Sequence, residues 1–357
     1  MQTLINIIVF ILILGIVVLI HEFGHFITAK SFGVYCSEFS IGMGPKLFSK
    51  KIGETEYEIR ALPIGGFVSM AGEADNEIEE FKDVPFERTI NGISCWKKVV
   101  VFLAGVFMNF ILSIVILIGV YSFIEVQDNT PVIGSVSDNG PAMMAGIEAG
   151  DRITKIAYDG EEYIIGSYDD IREVMGKIES DDKTVTVEVE LVRDSKTLTK
   201  QVNAQYSEES GMFILGVISG TRQLSFFEAV NYAFDQFKTL SLLIFTTLGQ
   251  LFTDTANTIG QLSGPAGIYS TTAQITATGS LSQLLIFLAL ISTNVGIFNL
   301  LPIPGLDGCQ VIFALVEKMI GRELPLKLRY ALQLAGLALV FALLIYVTIN
   351  DVSRILG

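Results

Sequence analysis

Long apolar blocks without polar interruption set the pattern of this chain. Leu4–Ile20 contains no charged residue, and Val99–Ile124, Leu281–Leu301 and Ala331–Ile349 are charge-poor out to their edges. Each block is roughly 17–26 residues long, near the ~20 that a helix needs to cross ~30 Å of hydrocarbon. One such block could be a buried core helix, but four in one chain predict four membrane spans. The first block has no basic stretch before it and no small-residue cleavage site after it. It runs directly into His21-Glu22-Phe23-Gly24-His25, so it is expected to stay on the chain rather than leave as a signal peptide.

Between the blocks the pattern changes. In residues 31–75, short alternating stretches such as Glu56-Tyr57-Glu58-Ile59-Arg60 sit between glycine-rich runs, predicting a few short strands joined by turns. Residues 71–96 are polar and predict an irregular connection. From Pro131 to about Gly220 the pattern is that of a small α+β module. It has a strand at Val132–Val136, a short helix from Pro141 closed by Gly146, and a turn and strand over Gly150–Ile156. A helix over Tyr168–Ile178 and a strand over Thr184–Val192 follow. In Phe226–Phe252 apolar residues recur at three- or four-residue steps while Glu228, Asp235, Gln236 and Lys238 interrupt. That predicts an amphipathic helix on the outer membrane surface. The expected organisation is a first membrane half (1–124), the module (125–220), a surface helix with connector (221–280) and a second membrane half (281–357).

Charge orients these parts. The net charge is −14, but Lys30, Lys46, Lys50, Lys51, Arg88, Lys97 and Lys98 lie between the first two blocks. Lys318, Arg322, Lys327 and Arg329 lie between the last two, and acidic residues dominate from Glu125 to Glu209. Positive loops remain cytoplasmic, which places residues 31–98 and 305–330 inside, and both termini and residues 125–280 outside. A fifth span at 226–252 would break this alternation. No basic patch suggests nucleic acid. The three cysteines, Cys36, Cys95 and Cys309, are too few and too scattered for a disulfide framework or a paired zinc motif, and all fall on the reducing side.

His21 and His25 stand four residues apart, so on a helix both imidazoles share a face and can reach one metal. Glu22 stays close without being a ligand, placed to take a proton from an attacking water. A chance match is the rival reading. Against it, these are the only 2 histidines in the chain, and they sit at the end of an apolar span, where ionisable groups are costly and usually functional. A catalytic zinc wants three protein ligands and an open position, so the third ligand must be a carboxylate or a cysteine. The stretch Asn299–Gly308 closes the third span on the same side, and Pro302 and Pro304 would unwind the helix there. Such backbone is tolerated at membrane depth only beside protein or a cavity. Asp307 could be the carboxylate delivered to the site, but the same residues also fit a plain helix-ending turn.

His-Glu-Phe-Gly-His at the end of a first span, paired with a distant Asn-Leu-Leu-Pro-Ile-Pro-Gly-Leu-Asp-Gly, resembles the site-2 protease family of intramembrane metalloproteases. The likeness is to the bacterial branch typified by the regulator of sigma-E protease. The resemblance implies one Zn2+ held by His21, His25 and Asp307, with Glu22 as general base. Phe39–Pro45 and Pro63–Met70 resemble the family's membrane-dipping β-hairpin region, whose edge strand is thought to hold substrate in extended form. That implies substrate contacts at Gly65, Gly66, Phe67, Val68, Ser69 and Met70. Asn294, Asn299 and Pro302 match positions implicated in substrate handling, and Ser263–Ile268 resembles a segment preceding the third span. Two stretches depart from the family pattern: Ala104-Gly105-Val106-Phe107-Met108-Asn109 in the second span, and Cys309-Gln310 after Asp307-Gly308. They bear on local packing and on hydrogen bonds behind the ligands.

The run Pro141–Ile153 resembles a PDZ domain, present in one copy. Such a domain would bind peptide or protein termini along a sheet edge or screen out substrates with bulky outer portions. A structural spacer is the alternative. The expected fold class is therefore a polytopic α-helical membrane protein with four transmembrane helices, a β-hairpin region and one extracytoplasmic PDZ domain, in a bacterial cytoplasmic membrane. The resemblance implies cleavage in or near the transmembrane segments of pre-trimmed single-pass proteins, such as anti-sigma factors and signal-peptide remnants. One rival is a membrane zincin whose third ligand is Glu73, Glu77 or Glu79. Another is a catalytically silent, PDZ-bearing adaptor.

Overall fold

The computed structural model describes all residues except 1, 74–80, 82, 209, 255–262 and 357. The chain divides into two compact units, residues 1–120 with 229–357, and residues 121–228.

In the first unit, helix α1 (Gln2–Ser31) leads into strands β1 (Cys36–Ile52) and β2 (Thr55–Met70), then helix α2 (Cys95–Tyr121). After the second unit come α5 (Phe226–Thr253), α6 (Pro265–Thr278), α7 (Leu281–Asn299), α8 (Asp307–Ile320) and α9 (Leu326–Leu356). Among the described residues 4 helices are long and apolar enough to cross a membrane: α1, α2, α7 and Lys327–Arg354 within α9. These are the four blocks read from the sequence, and α5 is not among them. Each span lacks the polar–apolar periodicity of a soluble helix, because lipid on one side and protein on the other both accept apolar side chains.

Where several short strands were expected after α1, two long ones form. Glycines at positive φ, Gly42 (88°), Gly44 (85°) and Gly65 (81°), bend the strands without ending their pairing, which is how a glycine-rich run differs from a chain of turns. The bending folds β2 around β1, so that Ser40 pairs with Glu58 on one side and with Phe67 on the other. The segment 66–70 thus becomes an outer strand of a three-stranded patch. Phe26 and Ala29 of α1 pack with Phe39, Val68 and Met70 to fix this patch against the helix.

At the far end of the chain, the fully buried Asp351 of α9 accepts the backbone N–H groups of Gly264 (2.8 Å) and Gly267 (2.7 Å). This caps the N-terminus of α6, where unpaired N–H groups favour an anion. A Cβ on Gly267 would fall 3.0 Å from that carboxylate. The Ser263–Ile268 segment is therefore a seat for Asp351.

The second unit contains β3 (Glu125–Gln127), β4 (Ile133–Val136), α3 (Pro141–Met144), β5 (Arg152–Tyr158), β6 (Glu161–Ile164) and α4 (Tyr168–Lys177). It continues with β7 (Thr184–Arg193), β8 (Lys196–Ser207), β9 (Met212–Ile214), β10 (Val217–Ser219) and β11 (Thr221–Gln223). The main sheet runs β6-β5-β7-β8-β9, antiparallel throughout. Alternate residues Val185, Val187, Val189 and Leu191 of β7 face a core with Ile153, Ile156, Val202 and Phe213. Ser167 and Asp170 form a reciprocal capping box at the start of α4, the arrangement that satisfies two otherwise unpaired N–H groups.

Behind that sheet Asp151 is completely buried. Arg193 grips it with Nε and Nη2, each at 2.7 Å, and the Glu148 N–H donates to it at 2.9 Å. Burial pushes the Asp151 carboxyl up, but the Arg193 guanidinium and the Glu148 N–H outweigh it and hold the carboxyl below its ordinary value. A carboxyl depressed on folding adds stability above its unfolded value of ~3.9, and that stability drains away as pH falls through the folded value. Hydrogen exchange on the full-length protein should therefore show β7 and β8 losing protection below about pH 4. Asp151→Asn should lose about 1.5–3 kcal/mol at neutral pH and show a flatter response to acid. An unchanged acid profile in Asp151→Asn would exclude this pair as the cause.

Candidate metal centre

His21 and His25 lie on α1, both more than nine-tenths buried, and face the same way because they are four residues apart. Asp307 is the first residue of α8. Two features bring it back to α1. Gly305 adopts φ 99°, open to glycine at no cost. Gly308 lies so close to the turn that a Cβ there would meet the Leu300 carbonyl oxygen at 2.3 Å. The prolines and glycines of 302–308 thus make a tight reversal, from which the Asp307 carboxylate projects towards the imidazoles.

The three ligand-type atoms converge. His21 Nε2 is 3.0 Å and His25 Nε2 3.3 Å from Asp307 Oδ2, and the two Nε2 atoms are 3.2 Å apart. Tetrahedral zinc with bonds of ~2.0–2.2 Å would separate its ligand atoms by about 3.3–3.6 Å. Asp307 Oδ2 is buried with no hydrogen-bond donor, so it offers a lone pair to the same point as the two nitrogens. The groups behind the imidazoles fit this use. His25 Nδ1 is 2.8 Å from the Val101 carbonyl oxygen and so carries the ring proton, which leaves Nε2 as the acceptor. His21 Nδ1 is 3.3 Å from the Asn109 amide nitrogen, while Asn109 Oδ1 has no partner. Turning that amide by half a rotation, an assignment rarely visible directly, gives the oxygen to the His21 Nδ1–H. Both histidines then present free Nε2 atoms. The residues present fit a zinc ion with two nitrogens and one carboxylate.

Sequence reading marked Ala104–Asn109 as a departure bearing on packing and on hydrogen bonds behind the ligands, but not that Gly105 and Asn109 face the two imidazoles. A Cβ on Gly105 would fall 2.5 Å from His25 Nε2 and 2.8 Å from His21 Cε1, and one on Gly24 would fall 2.4 Å from the Ala104 carbonyl oxygen. Gly24 and Gly105 are thus the close contact of α1 with α2, the small-residue packing common between membrane helices. Gly105 and Asn109, four residues apart, were the readable signal: a small residue and a polar one on a single face of an otherwise apolar span.

A cavity of about 340 Å3 surrounds the site, lined by His21, Glu22, His25 and Asp307 together with Val68, Met70, Asn299 and Gln310. Glu22 accepts the Val68 N–H, so the outer strand 66–70 holds this carboxylate beside the ligand cluster. Of the residues expected to handle substrate, Val68, Met70 and Asn299 line the cavity, and Gly66 lies 3.8 Å from the Glu22 Cγ when given a Cβ. Phe67 and Ser69 face an adjoining cavity, and Gly65 packs against Met43. Asn294 is half-buried and Pro302 exposed, and neither lines the site. Glu73 lines the cavity but does not join the ligand cluster. Glu77 and Glu79 lie outside the described residues.

A buried site of two histidines and an aspartate, beside a glutamate and between membrane helices, defines a membrane metallopeptidase. The chain belongs to peptidase family M50, whose sequence profile matches residues 9–343. It is an intramembrane zinc metalloprotease of the site-2 type. It is 37% identical over 336 residues to CPE1693 of Clostridium perfringens, a zinc metalloprotease by name, covering 94% of this chain and 95% of that one. The zinc metalloprotease RasP of Bacillus licheniformis is 32% identical, covering 98% of this chain and 99% of the relative. The regulator of sigma-W protease RasP of Bacillus subtilis is 31% identical with the same coverage. Family membership removes the silent-adaptor alternative.

Metal analysis of purified protein should separate the remaining rival. Asp307→Ala is expected to lose zinc and Glu73→Gln to keep it; the reverse would make the glutamate the ligand. Gly105→Ala, which adds one methyl against two imidazoles, should weaken zinc affinity by about 10–100-fold while the protein still inserts and folds. Unchanged affinity would mean that the α1–α2 contact tolerates a side chain.

Proposed function

We propose that His21, His25 and Asp307 hold the zinc ion and that Glu22 is the general base of peptide-bond hydrolysis. The convergence of the three ligand-type atoms, with Glu22 held against them by the Val68 N–H, carries this reading. Zinc bound there supplies Lewis-acid polarisation of the scissile carbonyl and eases ionisation of water near pH 7. Glu22 takes the proton of the attacking water as the C–O bond forms, then gives it to the departing amide nitrogen as the C–N bond breaks. The outer strand 66–70, which no further strand pairs among the described residues, offers its edge to an extended substrate segment. A transmembrane helix hides its carbonyls in its own hydrogen bonds, so the strand edge repays part of the cost of unwinding it.

The substrates are single-pass membrane proteins already trimmed by another protease, anti-sigma factors and signal-peptide remnants among them; the Bacillus subtilis relative is named as a regulator of sigma-W protease. Lysine and arginine placement supports a bacterial cytoplasmic membrane with both termini outside and the site near the inner face. Leu47, Phe48 and Leu62 on the β1–β2 hairpin are largely exposed and suit a lipid surface. The second unit is a PDZ domain in this reading. Its strand β9 ends the sheet, and a groove of about 300 Å3 lies there, lined by Ile171 and Met175 of α4 and by Phe213 and Leu215. An extended peptide terminus would add to β9 in that groove.

Glu22→Gln is expected to keep zinc but lower cleavage of a pre-trimmed single-pass substrate in detergent by about 10²–10⁴-fold, the usual worth of a general base. Full cleavage by Glu22→Gln would assign the base elsewhere.

A further inference from the structure

A second cavity, about 600 Å3, adjoins the catalytic one. Val68, Glu73, Phe102, Gly305 and Gln310 line both, so the two form one continuous cleft. Its walls are helix faces with regular spacing. On α8, Asp307 and Gln310 line the catalytic end, and Gln310, Ala314 and Glu317 line the second chamber. Steps of three or four residues keep all four on a single face. On α2, Lys98 and Phe102 line the second chamber, in the same periodic row as Gly105 and Asn109 behind the histidines. The outer strand contributes Phe67, Val68 and Ser69.

The far end of this chamber is charged. Arg329 and Lys98 are each 9% exposed and Glu317 8%. Arg329 Nη2 pairs with Glu317 Oε1, and Lys98 Nζ lies 3.7 Å from Glu317 Oε2 and 3.4 Å from Asn91 Oδ1. Two buried cations therefore share Glu317. Arg329 Nε remains without an acceptor among the described residues. A buried guanidinium donor left unpaired is costly, and exceptions of this kind call for a ligand or another physical reason. With Nη2 already on Glu317, the open Nε–H is suited to donate one charge-assisted hydrogen bond to a further carboxylate oxygen.

We propose that this chamber receives the substrate segment running from the scissile bond towards the cytoplasm, and that Arg329, backed by Lys98, selects an Asp or Glu side chain there. The proposal rests on the protease reading above. Ten residues of α8 separate Asp307 from Glu317, a rise of about 15 Å. An extended chain covers that distance in about four or five residues. The acidic side chain is thus expected about three to five residues from the cut, at the spacing set by α8.

The test uses full-length, zinc-loaded protein in detergent and a series of single-pass substrates alike except at one position. That position is moved two to six residues to either side of the cut and filled with Asp, Asn or Lys. At one cytoplasmic-side position three to five residues away, wild type should favour Asp over Lys by about tenfold or more in kcat/KM, with Asn between. Arg329→Gln leaves Glu317 short of a cation and could unfold this corner, so the doubly neutral Arg329→Gln/Glu317→Gln is made alongside it. In whichever variant retains zinc, the Asp-to-Asn ratio should fall to near one. Cleavage of every substrate at equal rates by wild type would overturn the proposal and leave the protease intact. A preference that survives in the double variant would overturn it as well. If no substrate is cut by wild type, the protease reading fails and this inference falls with it.

Discussion

His21 Nε2, His25 Nε2 and Asp307 Oδ2 crowd within 3.3 Å of one another in a buried setting. Three acceptors this close are unfavourable unless a cation sits among them, because burial removes the water that would otherwise screen and solvate them. Much of the first unit follows from that demand. Two of the groups come from one helix at a spacing of four residues, which costs nothing to align. The third comes from a stretch nearly three hundred positions away in the chain and needs α1, α2, α7 and α8 packed tightly around it. The glycines at 24, 105 and 308 stand where backbone or imidazole approaches too closely for any Cβ. Their absence of side chain, rather than any flexibility, is what the site requires.

The same economy governs the imidazole orientation. Val101 offers a backbone carbonyl and Asn109 an amide about two turns further along α2. Together they fix which ring nitrogen of each histidine carries hydrogen. The exposed faces of these helices carry large apolar side chains, among them Ile7, Ile8 and Leu12 of α1 and Ile111 and Val115 of α2. On α2 and α7 the polar side chains Asn109, Ser113, Ser292 and Thr293 are buried on the inward face, where partners are close at hand. Ser292 and Thr293 of α7 follow this rule, bonding to the Asn109 carbonyl and to Ser113 at 2.8 Å each.

Each unit sets an edge strand beside a cavity: residues 66–70 in the first, β9 in the second. Open edges are normally blunted because they invite pairing with other chains. The outer strand of the first unit also donates a backbone N–H to Glu22. The edge that would align a substrate is thus tied to the group that would act on it, so a bound strand and the base share one register.

The sequence alone determined the four spans, because hydrocarbon demands long apolar stretches and leaves no alternative for residues such as Val99–Ile124. It also determined the pairing of His21 with His25, since four residues make one helical turn whatever surrounds it. It offered Asp307 as a candidate that a plain helix-ending turn fitted equally well, until likeness to a family singled it out, and its glycine-rich hairpin read as a few short strands. A positive φ that bends a strand and one that ends it look identical in sequence. The stretch holding Gly105 and Asn109 was legible as a departure behind the ligands, but which imidazole each residue meets was not, and Arg329 was legible only as a loop cation. Their meaning depends on what lies across a gap between helices, and contacts between distant segments leave no periodicity in the chain. Tertiary packing decided those, because only close approach tells a glycine that makes room for an imidazole from one that merely breaks a helix.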